Sequence, residues 1–384
     1  MYLTRNRSFV ACLWVAFFVN GAVLSSWAPR IPEVKYLLGL SDSELGIALF
    51  GVAAGSVPAL LLTARVLDRV RSGPVCVATA LLFSASLPLI SVADGVWQLT
   101  GVLMALGAAS GVLDIAMNTA GIAYQQHTGH RVLSRLHGGY SLGVLAGALG
   151  GVAATHVGAT ATEHFLVVAI LLVTLTLMSA PMLWSQPWRP DAREVSGALV
   201  TVRSRRFGLP MTIAVLAVSG LLIEGLVTDW SALLITRDLG APTSLGAITL
   251  ALFSLAMFIS RSAGDAVLNR FSERKVLTTV AVAVVCLVLL GSVAAEPVAM
   301  AAAVGLIGLV LGPVFPVAVS RASRSAPGRA AAMTAQVSAV GYFAYLGGPP
   351  VIGFVADVVG LPLTFVTTVA LSCVGIALAC RGPG

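Results

Sequence analysis

SQPWRPDAREVSGALVTVRSRR, residues 185–206, is the one long polar interval in a chain that is otherwise apolar almost throughout. Its two prolines and five arginines read as a cytoplasmic linker, because arginine accumulates on the cytoplasmic side of membrane proteins and proline interrupts helices. On both sides of it stand runs of roughly 20 apolar residues, the length that crosses a bilayer as a helix. Six precede it, near 8–28, 43–64, 74–93, 97–123, 137–157 and 163–184, and six follow, near 208–231, 243–263, 275–294, 297–320, 331–356 and 360–380. Only helices satisfy their own backbone in lipid at this spacing. The expected fold is therefore an all-α polytopic membrane protein: twelve transmembrane helices in two six-helix bundles, 1–184 and 208–384, joined by a linker at 185–207.

Composition agrees. Of 384 residues 58% are hydrophobic and 10% charged, with a mean hydropathy of +0.95; a soluble domain carries about 25% charged residues. A soluble enzyme is excluded. With the N-terminus inside, only Arg30, Lys35 and Arg237 of the 23 Lys and Arg residues fall on the far side, a bias that a single miscounted span would destroy. Both termini are thus expected to be cytoplasmic, in the cytoplasmic membrane. The net charge of +7 is an orientation signal, and no soluble basic face exists to bind nucleic acid. Trp27, Trp97 and Trp230 fall at expected outer span ends, and Trp184 and Trp188 at an inner one, where an aromatic belt would sit. The five cysteines lie in or beside apolar spans without CxxC spacing, so neither a disulfide framework nor a metal site is supported. The first apolar run is too long for a signal peptide and is kept as span one.

The two halves repeat at offsets between 200 and 203: Trp27 with Trp230, Leu45-Gly46 with Leu245-Gly246, VLDR (66–69) with VLNR (267–270), Gly107/Gly111 with Gly308/Gly312, and Gly139-Tyr140 with Gly341-Tyr342. A parallel six-plus-six repeat resembles the major facilitator superfamily. VLDR and VLNR look like degenerate copies of its signature loop, with Ala64 and Arg71 in place of the two glycines and Asn269 in place of the acid. SSWAPRIP (25–32), DIAMNTAG (114–121), HGGYSLGVLAGA (137–148), EGLVTDW (224–230) and GYFAYLGGPP (341–350) further resemble the YbjJ-type bacterial inner-membrane proteins, distant relatives of the fucose permeases. The resemblance implies a transporter whose halves rock about a central site, with spans one and seven lining it. It also implies that Asp68, Arg69, Asn269 and Arg270 latch the cytoplasmic side.

Asp114 lies about 17 residues into span four, roughly 25 Å along a helix rising 1.5 Å per residue. An ionised carboxylate there costs several kcal/mol, roughly 2.5–3.5 at a helix centre, so the group is expected to load and release a proton. Asn118, one turn on, shares its face. The repeat position in the second half is Phe315, so the fold itself does not require an acid there. A span-four carboxylate handles the proton in the fucose permeases, and Asp114 is similar in placement. Packing against a neighbour is the alternative role.

Glu224, past the middle of span seven, is the second proton-coupling or substrate-binding candidate, its span-one counterpart being Asn20 or a near neighbour. Asp229 is expected near the outer end, able to pair with Arg30 as an external gate. Pro29 and Pro32 are expected to stop span one sharply. His137, opening span five, is weighed as a proton relay against a solvated boundary residue. Glycines 139, 143, 147 and 151 form a close-packing stripe, similar to an exporter motif but lacking its proline.

There is no Walker A loop, nucleophile elbow or metal-ligand spacing, so no cofactor is expected and transport runs on an ion gradient, H⁺ in the first instance. The expected cavity groups are Asn20, Trp27, Asn118, Tyr140, Glu224, Trp230, Gln336 and Tyr342. This modest polarity favours export of a small amphipathic organic solute by alternating access, over sugar-type uptake. A transport-incompetent sensor or assembly partner is the reading from another class; the short linker and the chain's close after span twelve in RGPG speak against it. The bilayer and a small-molecule substrate are the expected partners, and one chain is expected to suffice as a monomer.

Overall fold

The structure, a computed structural model, describes residues 2–67, 70–128, 132–185, 208–325 and 330–380. The linker beyond Ser185, Trp188 within it, and Asp68 and Arg69 of the first signature loop lie outside the described residues. Fourteen α-helices and no strand occur among the described residues. They are α1 (Tyr2–Trp27), α2 (Ile31–Leu37), α3 (Asp42–Leu67), α4 (Ser72–Ser86), α5 (Val96–Thr128), α6 (Leu133–His156) and α7 (Ala161–Trp184), then α8 (Met211–Leu233), α9 (Thr243–Arg270), α10 (Glu273–Ala294), α11 (Pro297–Leu311), α12 (Val314–Ser325), α13 (Ala330–Val359) and α14 (Leu361–Ala379). Eleven helical stretches among the described residues are long and apolar enough to cross a membrane, and the 26-residue α3 stands at the place of the second expected span.

Contacts divide the chain into two units, Met1–Val34 with Ala48–Leu199, and Lys35–Ile47 with Val200–Gly384. Inside each unit the same pairings recur. In the first, α1 packs on α6 and α7, and α4 on α5 and α7; in the second, α8 packs on α13 and α14, and α10 on α11 and α14. The sequence repeat is therefore a repeat of packing. It extends to single contacts: a Cβ on Gly107 would strike the carbonyl of Val52, and one on Gly308 would lie 2.5 Å from the carbonyl of Phe253, the residue 201 positions after Val52. Glycine lets these backbones touch, which is how helices associate where lipid removes the hydrophobic drive.

The glycine stripe of α6 packs as its spacing predicts, and its partner is α1. Added Cβ atoms would meet Trp14 at Gly139 (2.9 Å), the Phe18 carbonyl at Gly143, the Ala22 carbonyl at Gly147 (2.6 Å) and Pro29 at Gly151 (2.6 Å).

Two spans differ from expectation for reasons of proline chemistry. Pro29 and Pro32 do not stop the first span. The path runs on through a 3-10 turn, Ala28–Arg30, into α2, because each proline sits in a first turn where no backbone N–H is needed. In the tenth span, expected to be continuous, α11 ends at Leu311 and α12 begins at Val314; Pro313 between them has no N–H and a ring that crowds the preceding turn. Its repeat equivalent α5 has Val112 there and continues unbroken for 33 residues.

Candidate functional site

In the first unit, α5 carries Ser110, Asp114 and Asn118 at intervals of four, so all three lie on one face. Ser110 Oγ donates to Oδ1 of the buried Asn20 on α1 at 3.1 Å. Asn118 Nδ2 donates to the Asp114 carbonyl at 2.8 Å and to its Oδ1 at 3.2 Å. Asp114 is half-buried, and among the described residues no cation pairs with it. The structure thus brings Asp114, Asn118 and Asn20 into one neighbourhood and adds Ser110, which the sequence reading missed although its i, i+4 spacing was there to read. Phe315, the repeat counterpart of Asp114, follows the break after Leu311 and lies against Gly341.

In the second unit Glu224 has what Asp114 lacks. Arg261 Nη2 of α9 lies 2.8 Å from its Oε2. Arg261 counts toward the cytoplasmic charge in the orientation argument, yet it stands inside an apolar stretch, Thr243–Gly264. A charge at that depth is rare without a partner, and Glu224 is one. Asp229, five residues beyond Glu224 on the same helix, is half-buried and has no hydrogen bond or ion pair among the described residues.

The proposed pairing of Arg30 with Asp229 is not how Arg30 is used. Its guanidinium is buried in the first unit, with Nη1 2.6 Å from Glu33 Oε2, Nη2 donating to the Ala159 carbonyl at 2.9 Å, and Nε donating to His164 Nδ1 at 3.3 Å. Glu33 accepts in turn from the backbone N–H of Ala161 at 2.8 Å. With three of its nitrogens engaged there, Arg30 ties α2 to the start of α7.

Trp27 and Trp230 are also corrected. Both are buried, at 3% and 0% exposure, and neither indole N–H has a hydrogen-bond partner among the described residues. As buried residues they do not stand in a lipid-facing belt. Trp97 and Trp184, at 75% and 54% exposure, do stand where a belt residue would. Position at a span end fixes depth but not which way a residue faces.

Gln336 on α13 is buried with its Oε1 unpartnered among the described residues, whereas Tyr140 is exposed. The Tyr342 side chain lies outside the described residues. His137 is exposed and meets the ring of Phe17 edge-on at 5.1 Å. Asn269 and Arg270 are exposed at the end of α9, with the Arg270 guanidinium 5.9 Å from the ring centroid of Phe271.

Two further charge clusters, both in the second unit, escaped sequence reading. Glu273 receives Arg321 Nε at 2.9 Å and Arg324 Nη2 at 2.6 Å, while Arg321 Nη1 donates to the Ala379 carbonyl at 2.9 Å; α10, α12 and α14 are thereby joined. At the opposite end, Asp42 lies 3.1 Å from Lys35 Nζ and 2.5 Å from Arg237 Nη1. The Asp357 carboxylate accepts from the backbone N–H groups of Asp42 and Ser43 at 2.7 and 2.9 Å, and from the Ser43 hydroxyl. Asp357 so caps the first turn of α3 from a helix more than 300 residues away. Among the described residues no three His, Cys, Asp or Glu side chains gather as metal ligands.

Comparison with known proteins places this architecture. The family profile described as Major Facilitator Superfamily matches residues 13–343. An uncharacterized MFS-type transporter of Yersinia pestis is 28% identical over 96% of this chain and 94% of its own. The membrane protein MosC of Rhizobium meliloti is 28% identical over 95% of this chain and 87% of its own. Among solved structures, the nucleoside transporter NupG superimposes with a TM-score of 0.75 over 97% of this chain and 98% of its own at 14% identity, and the D-xylose-proton symporter with 0.69 over 96% of each at 12%. At such identities these two share the fold.

Proposed function

The chain belongs to the Major Facilitator Superfamily and is a membrane transporter, and we propose that it couples movement of a small amphipathic organic solute to the proton gradient, with Asp114 as the proton-carrying carboxyl and export as the direction. The protein works by alternating access in the cytoplasmic membrane, both termini inside, and needs no cofactor. One observation carries the coupling reading: Asp114 stands 18 residues along an unbroken membrane helix with Asn118 as its side-chain partner and no cation beside it among the described residues. An uncompensated carboxylate at that depth is costly when ionised and cheap when protonated, so proton binding and release there carry free energy that transport can use. Glu224 is the weaker coupling candidate, because its carboxylate already faces the Arg261 guanidinium at 2.8 Å.

The substrate class rests on how few polar groups remain to recognise a heavily hydroxylated solute. Asn20 is engaged by Ser110, Trp27 and Trp230 are enclosed, and Asn118 is engaged by Asp114. The test compares cells expressing wild type or Asp114→Asn at equal membrane levels, by untargeted mass spectrometry of cytosol and medium, with the proton gradient intact and then collapsed. A solute that leaves the cytosol only with wild type and an intact gradient supports the proposal. Accumulation inside the cell instead makes the protein an uptake permease. An Asp114→Asn variant that works uphill as well as wild type removes Asp114 from coupling, and the absence of any protein-dependent solute removes transport of such solutes.

A further inference from the structure

The basic end of α10 bears an open groove of about 560 Å³, lined by Ser272, Arg274, Lys275, Thr278, Thr279 and Val282 with Ala283. Its chemistry is layered along the helix. Arg274 and Lys275 stand in the first turn, both exposed. Thr278 and Thr279 follow four residues on, about 6 Å deeper at 1.5 Å per residue, and Val282 begins an apolar layer another turn below. Beyond it the same helix exposes Leu290 at 69% and Val293 at 83%, so this side faces lipid.

Two features show unused binding capacity. Neither Arg274 nor Lys275 has a carboxylate partner among the described residues, because the one acid of that turn, Glu273, is held by Arg321 and Arg324. Lys275 Nζ lies instead 5.0 Å from the ring centroid of Phe271. The two threonines differ from several others in the chain. Thr79, Thr100, Thr176, Thr249 and Thr364 each donate to the carbonyl four residues back at 2.7–2.8 Å. Thr278 has only a long contact, 3.9 Å to Cys380 Sγ, and Thr279 Oγ1 has no hydrogen bond among the described residues. The Thr279 hydroxyl is open to an acceptor in the groove, and that of Thr278 is held only by a thiol at long range.

We propose that this groove binds an anionic phospholipid, its phosphate held by Arg274 and Lys275, its ester carbonyls by Thr278 and Thr279, and an acyl chain along Val282. The order of cation, hydroxyl and apolar wall matches the order of phosphate, ester and chain in a lipid. A free phosphate would use only the first layer. Two basic side chains at the membrane surface favour an anionic over a zwitterionic headgroup by about 10–30-fold.

The test uses the full-length protein in detergent, titrated with phosphatidylglycerol or phosphatidylcholine and read by native mass spectrometry. Phosphatidylglycerol is expected to be retained at least about 10-fold more tightly than phosphatidylcholine. Arg274→Gln with Lys275→Gln should abolish that preference, and Thr278→Val with Thr279→Val should weaken ester-linked phosphatidylglycerol without affecting its ether-linked analogue. All four side chains are exposed, so melting temperatures of the variants should match wild type and confirm folding. Equal retention of the two lipids, or an undiminished preference in the double charge variant, would overturn the proposal. So would displacement of phosphatidylglycerol by millimolar inorganic phosphate, since the groove would then be a simple anion site.

Discussion

Asp114 on α5 and Glu224 on α8 are both carboxylates in apolar helices, one in each packing unit, and their surroundings differ. Glu224 faces Arg261 at 2.8 Å, while Asp114 has an amide on its own helix and no cation among the described residues. A carboxylate with a cation beside it has its charge compensated; one without carries an uncompensated charge into the apolar run whenever it is ionised. Two acids that look alike in hydropathy are therefore unlike in chemistry. The comparison teaches that an intramembrane charge takes its role from its partner.

The largest effect is expected from removing the acid of α5, which has no cation beside it among the described residues. Asp114→Asn should abolish gradient-driven movement of the solute while leaving folding and downhill exchange intact, measured by counterflow in proteoliposomes with and without a proton gradient. Retained uphill transport would break the contrast between the two acids.

Next in size is Gly143→Leu in the α6 stripe. The added side chain meets the backbone of Phe18 and Ala22, which cannot move aside as a side chain can, so the cost should reach or exceed the roughly 1–3 kcal/mol usual for overpacking. Thermal unfolding in detergent measures it, and an unchanged midpoint would show that α1 and α6 can separate there.

Glu224→Gln comes third. It removes the carboxylate that faces Arg261 at 2.8 Å, and because the Arg261 side chain is 44% exposed the loss should fall to about 1–2 kcal/mol, below the 3–5 of a fully buried pair. The double variant Glu224→Gln with Arg261→Gln should recover most of that stability and keep gradient dependence. If the double variant is uncoupled, the pair shares the role assigned to Asp114. Smallest is Asp357→Asn, which weakens the cap on α3 by about 1 kcal/mol. Hydrogen exchange of the Asp42 and Ser43 amides should quicken, with little change elsewhere.

Much of this was legible in the sequence. Span positions agree with the helices to within a few residues, because twenty apolar residues in a row leave no alternative in lipid. The capping box at 41–44 went unread although its Ser-x-x-Glu spacing was there: Ser41 N–H donates to Glu44 at 2.8 Å and Glu44 N–H to Ser41 Oγ at 3.2 Å. The glycine stripe on α6 was visible by spacing alone. The continuation of span one through WAPRIP was not, since a proline ends a helix or opens one according to whether the next turn finds packing. Arg261 was hidden for a different reason: its long side chain reaches a partner 37 residues away, and its sequence neighbours say nothing of that reach.

From the sequence alone came the number of spans, the twofold repeat, the family resemblance and the isolation of Asp114 in an apolar run, all of them consequences of hydropathy and spacing along one dimension. Tertiary structure alone decided which charges are paired, that Arg30 belongs with Glu33 and His164, that Trp27 and Trp230 are enclosed, and that Asp357 caps α3. Each of those depends on the azimuth of a helix and the identity of its neighbour. Hydropathy reports how deep a residue lies, and packing determines what it faces.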